Sequence, residues 1–115
     1  MHEQIEAILD TVTCGGKRVP YALIRYTKTA SLYIVYTILS EVPRVCADDA
    51  PETSVVEIDV DIYAKDLGKM SETKDSVKSQ FIAAGWTWTE DGPELYDETG
   101  YIHITVTLEK ERMIQ

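Results

Sequence analysis

The sequence predicts an α+β fold, with a mainly antiparallel β-sheet and two α-helices packed on one face. Three observations carry that prediction. Apolar residues alternate with polar ones around residues 56–64 and again around 102–108, two stretches recur at helical spacing, and the connections in the C-terminal half are of hairpin length. No internal repeat or second composition regime interrupts residues 1–115, so a single domain is expected.

The first element follows from Ile5, Ile8, Leu9 and Val12, which fall at i, i+3, i+4 and i+7 and make one face of a short amphipathic helix. Glu3 and Glu6 suit the positive end of its dipole, and Gly15-Gly16 after Cys14 reads as its stop. Val19 to Leu39 is rich in Tyr, Val, Ile and Thr, with a polar break at residues 27–31, which predicts a hairpin or two successive strands. Pro20 confines the first of them to a strand entrance or a sheet edge, because proline has no N–H to donate. Ala47 to Thr53, with Asp48, Asp49 and Pro51, reads as the longest loop and a candidate contact segment.

Beyond that loop, Val56, Ile58, Val60, Ile62 and Ala64 alternate with Glu57, Asp59, Asp61, Tyr63 and Lys65, the pattern of a strand with one dry and one wet face. A second helix is expected to start with Ser71 as N-cap, to carry Met70, Val77, Phe81 and Ala84 near one stripe, and to close at Gly85. Trp86 and Trp88 then share one side of a strand, and turns at Asp91-Gly92-Pro93 and Asp97 to Gly100 lead to a final strand on Ile102, Ile104, Val106 and Leu108.

Composition narrows the function. Eleven basic against 20 acidic residues give a net charge of −9, and the basic residues are scattered, which argues against sequence-specific nucleic-acid binding. The apolar region from Tyr21 to Val42 is broken by Arg25, Lys28 and Glu41 and falls short of the roughly 18 apolar residues of a membrane span. The first residues lack a basic region followed by an apolar block, so a chain kept in a cytosol with free Cys14 and Cys46 is expected. A compact fold of this length is expected to have a radius of gyration of roughly 13 Å.

Among candidate sites, Glu57, Asp59 and Asp61 stand roughly 6.6 to 7 Å apart on one strand face. Calcium or magnesium needs oxygens converging on one point, which a flat strand does not provide, so the ordinary reading is a solvated face and the other a used acidic surface. His2 and His103 have no zinc-like partner spacing, and His103 is read as a surface cross-strand contact. Cys14-Gly15-Gly16-Lys17 lacks the spacing of a phosphate loop. Trp86 and Trp88 are core or subunit-interface anchors, with Asp48 and Asp49 grouped as further interface candidates. No catalytic set, cofactor motif or metal motif is found, so no enzyme activity and no cofactor are expected.

The runs Tyr33 to Tyr36, Val60 to Lys65, Ala84-Gly85-Trp86 and Tyr96 to His103 together resemble the small tail-completion or tail-terminator (head-to-tail joining) proteins of long-tailed phages and prophages. The resemblance spans roughly residues 30 to 110 and implies a virion structural subunit, assembled in the host cytoplasm. Such a subunit forms a ring, a hexamer, that caps the tail tube and docks to the head connector. Its partners would be further copies of itself, the tail-tube protein and the connector. Under that reading Glu57, Asp59 and Asp61 would line a lumen and keep DNA from sticking. The alternative is a small cytosolic acidic module acting on a basic protein partner.

Overall fold

The computed structural model describes residues 2–23, 30–45, 51–96 and 99–113. Helix α1 (His2–Leu9) leads into a two-stranded hairpin, β1 (Thr13–Cys14) and β2 (Lys17–Arg18). The main sheet contains β3 (Tyr21–Leu23), β4 (Leu32–Val45), β5 (Pro51–Ala64), β6 (Thr87–Asp91), β7 (Leu95–Tyr96) and β8 (Ile102–Met113), and α2 (Leu67–Ala83) lies between β5 and β6 in the chain. The strand order is β3-β4-β5-β8-β6, with β7 also on β8, and every pairing is antiparallel except β3 with β4. This is the expected α+β architecture.

The dry face of the sheet holds the core. Val56, Ile58, Val60, Ile62 and Ala64 of β5 are buried beside Ile102, Ile104, Val106 and Leu108 of β8, and Ile34 and Tyr36 of β4. Ile5 and Leu9 of α1 and Met70, Val77 and Phe81 of α2 close over them, so both helices occupy one face. The 14-residue strands β4 and β5 draw the molecule out to 52 × 27 × 22 Å. Its radius of gyration, 15.3 Å, exceeds the expectation for a compact chain for that reason.

Several boundaries differ from the sequence expectation. Helix α1 stops at Leu9, and Val12 reaches the core from the segment after it. Gly15 and Gly16, at φ 61° and 79°, are not a helix stop but the turn of the β1–β2 hairpin, where two successive positive φ angles suit strand twist. Strands β3 and β4 run parallel, which excludes a hairpin between them. Pro20 sits just outside β3, and its carbonyl accepts from Ile34 N at 2.9 Å.

Helix α2 begins at Leu67, not near Ser71. Its N-cap is Asp66, whose side chain accepts from Lys69 N at 3.1 Å. Ala84 is the exposed C-cap, outside the buried stripe, and Gly85 at φ 94° follows it. Of the expected loop from Ala47 to Thr53, Pro51 to Thr53 belong to β5, and Ala47 to Ala50 lie outside the described residues. Strand β4 likewise runs on to Val45. A register shift between Ile38 and Ser40 leaves Leu39 as an extra residue and inverts the alternation beyond it.

Candidate functional site

The face of the sheet opposite the helices carries the acidic stripe, and no described helix or strand lies over it. Its side chains form rows across β4, β5 and β8, because residues in register on a pleated sheet point the same way. The first row is aromatic. Tyr33 stacks on Tyr63 at 4.8 Å between centroids and 11° between planes, and Tyr63 stacks on His103 at 4.3 Å and 5°. Tyr101 meets the edge of Tyr33 at 5.5 Å, donates its hydroxyl to Ala30 O at 2.8 Å, and carries Lys65 Nζ 5.0 Å above its ring.

The next rows hold the carboxylates, each in a different environment. Asp61 Oδ1 accepts from Thr105 Oγ1 at 2.6 Å and lies 3.0 Å from His103 Nε2. Asp59 Oδ1 accepts from Thr107 Oγ1 at 2.8 Å. Glu57, by contrast, stands in register with Glu109, two like charges opposed across the strand pair. On this uncovered face all three acidic residues are half-buried, and two of them are bound into a cross-strand polar network.

That network gives the face a fixed shape. Val35, in the Asp61 row, keeps only 7 % of its surface exposed although it lies outside the helix-covered core. Thr105 reaches Asp61 more closely than it reaches His103, whose Nε2 is 3.5 Å from the hydroxyl, so the threonine is not activated by the imidazole. Among the described residues no three His, Cys, Asp or Glu side chains converge as metal ligands.

The other candidates lie elsewhere. Trp86 is 3 % exposed and packs edge-on against Phe81 at 5.6 Å, which makes it a core residue of the single chain. Trp88 is 45 % exposed; Lys78 Nζ lies 4.0 Å from its ring centroid, and its Nε1 donates to Asp91 Oδ1 at 2.9 Å. Lys78 also pairs with Asp91 at 2.7 Å, so this cluster ties β6 to α2 on the helix side. Asp48, Asp49 and Cys46 lie outside the described residues. The Gly15 amide, far from cradling a phosphate, donates to the Glu72 carboxylate.

One polar cluster has no forerunner in the sequence reading. The buried Tyr36 donates its hydroxyl to Glu6 Oε2 at 2.7 Å, with His2 Nδ1 at 3.2 Å from the Tyr36 hydroxyl oxygen, and so fastens α1 to β4. Burial, and then the bond to Glu6, raises the Tyr36 phenol well above its ordinary pKa. No period or motif marks such a contact, since its members are about thirty residues apart. No family model matches the chain, and no curated protein matches it.

Proposed function

We propose that this chain is a tail-completion subunit of a long-tailed phage or prophage, forming a ring at the end of the tail tube and joining it to the head connector. The observation that supports this reading is the long, helix-free sheet face. It carries Glu57, Asp59, Asp61 and Glu109 in adjacent rows and has no described element over it. Repeated around a ring with this face inward, those carboxylates would give a channel from which DNA phosphates are repelled. The function needs no catalytic group, only a rigid wall, and the bonds from Thr105 and Thr107 hold two of the acids in place.

Native mass spectrometry and light scattering of the purified protein, alone and with its tail-tube protein, test the proposal. A closed ring on the tube end, with tube growth arrested, is the expected result. A chain that neither oligomerises on the tube nor limits its growth would overturn it. Salt-sensitive binding to a basic protein, without ring formation, would point to the acidic-module alternative instead.

A further inference from the structure

Where the chain enters β4, the charge balance reverses. A cleft of about 460 Å³ opens between the β1–β2 hairpin, the first turns of α2 and the Ala30–Leu32 segment that enters β4. That volume falls within the range of pockets that enclose a small organic molecule. Three of the chain's 11 basic residues, Lys17, Arg18 and Lys69, line this one cleft of a chain whose net charge is −9.

The charged groups around it are not equivalent. Arg18 is engaged, with Nη1 2.9 Å from Asp10 Oδ1. Glu72 is engaged as well: the Cys14 thiol and then the Gly15 amide hydrogen-bond to its carboxylate, and these bonds hold its pKa below the ordinary value. The ammonium groups of Lys17 and Lys69 have no hydrogen-bond or ion-pair acceptor among the described residues. The same cleft also has an apolar lining, supplied by Val19, Pro20 and Leu32. A second hollow, of about 270 Å³ between α1 and the end of α2, offers no charged side chain and so no comparable selectivity.

We infer that this cleft is a binding site for a small organic anion, a carboxylate or phosphate monoester carried on an apolar body. The two lysines would take the anionic head, and Val19, Pro20 and Leu32 the apolar part. The occupied Gly15 amide makes the lysines, rather than the glycine turn, the anion-recognising element.

Amide chemical shifts of the labelled full chain, followed during separate titrations with phenyl phosphate, benzoate, benzyl alcohol and inorganic phosphate, test this. Saturable shifts at Val19, Leu32 and Lys69 are expected with phenyl phosphate or benzoate, the tighter of the two identifying the head group. Benzyl alcohol and inorganic phosphate, each lacking half of the recognised chemistry, should bind at least about tenfold more weakly. The double variant Lys17→Gln/Lys69→Gln, altered only at exposed side chains, should weaken the organic anion by about tenfold or more while the rest of the spectrum stays in place. No saturation up to about 10 mM of either organic anion, equal binding of benzyl alcohol or inorganic phosphate, or unchanged affinity in the double variant would each overturn the inference.

Discussion

On β5, Val56, Ile58, Val60 and Ile62 are at most 1 % exposed beneath the helices, while Glu57, Asp59 and Asp61 between them look out on a face that no described element covers. The same strand thus serves two regimes. On the helix side, stability comes from apolar area withdrawn from water at about 25 cal/mol per Å², and the exact partner of each side chain matters less than its volume. On the open side, where burial is partial, it comes from specific cross-strand pairs, Tyr63 with His103, Asp61 with Thr105 and Asp59 with Thr107. A face held by pairs keeps its chemistry accessible; a face held by area does not.

Truncation should expose that contrast most strongly on the helix side. Phe81 is fully buried and packs on Trp86, so Phe81→Ala removes transfer energy and leaves a cavity. A loss of about 3–5 kcal/mol is expected, read as a fall in the urea midpoint. Asp61→Ala on the open face should cost less, about 1–2 kcal/mol, because Thr105 and His103 lose their shared acceptor but are near enough to water to be resolvated. If Asp61→Ala cost as much as Phe81→Ala in the same titration, the two-regime picture would fail.

How far this division could be read from the sequence depended on whether the signal was local. The alternation in residues 56–64 and 102–108 survives in the fold because both strands are regular there. It failed in β4, where the extra residue at Leu39 inverts the phase and hid the strand from Ser40 to Val45. Val12 extended the α1 stripe by one turn because it is apolar at the right spacing, although the chain has already left the helix. Asp66-Leu67-Gly68 resembles a turn, which concealed the true N-cap. At the site, the three acids and their shared face were legible. His103 was legible as a cross-strand contact, but the acid it meets, and the pairing of Thr105 and Thr107 with Asp61 and Asp59, were not, because register between β5 and β8 is a tertiary property. The lysine-lined cleft was invisible for the same reason, being assembled from segments about fifty residues apart.

The phenols that anchor the N-terminal segment give the comparison a pH axis. Burial first, then the bond to Asp10, pushes the Tyr21 phenol up to about 12, and burial with the bond to Glu6 raises Tyr36 further. In the unfolded chain both ionise near pH 10, roughly. The unfolded state therefore sheds protons first, so this contribution is complete below about pH 10 and is lost as pH rises through the folded-state values. A Tyr21→Phe/Tyr36→Phe variant should lose roughly 1 kcal/mol per hydrogen bond at neutral pH, yet fall less steeply than the parent above about pH 10. Parallel alkaline limbs in urea titrations of the two proteins would show that these phenols do not control that transition.

The smallest effect separates the rows of the open face from one another. Glu57 opposes Glu109 directly, whereas Asp61 and Asp59 oppose hydroxyls that donate to them. Like charges in register repel, and reversing one converts the row into an ion pair across the same two strands. Glu109→Lys should therefore stabilise the fold by about 0.2–1 kcal/mol at low ionic strength, because the exposed side of the row keeps the interaction weak. The gain should shrink towards zero near 1 M salt, where the screening length falls to about 3 Å. The same charge placed at Thr105 would instead face Asp61 and displace the hydroxyl that already satisfies it, so Thr105→Lys should bring no such gain. A stabilising Glu109→Lys beside a neutral or destabilising Thr105→Lys would locate the unbalanced charge of this face in the Glu57 row alone, and equal gains at both positions would spread it over the whole stripe.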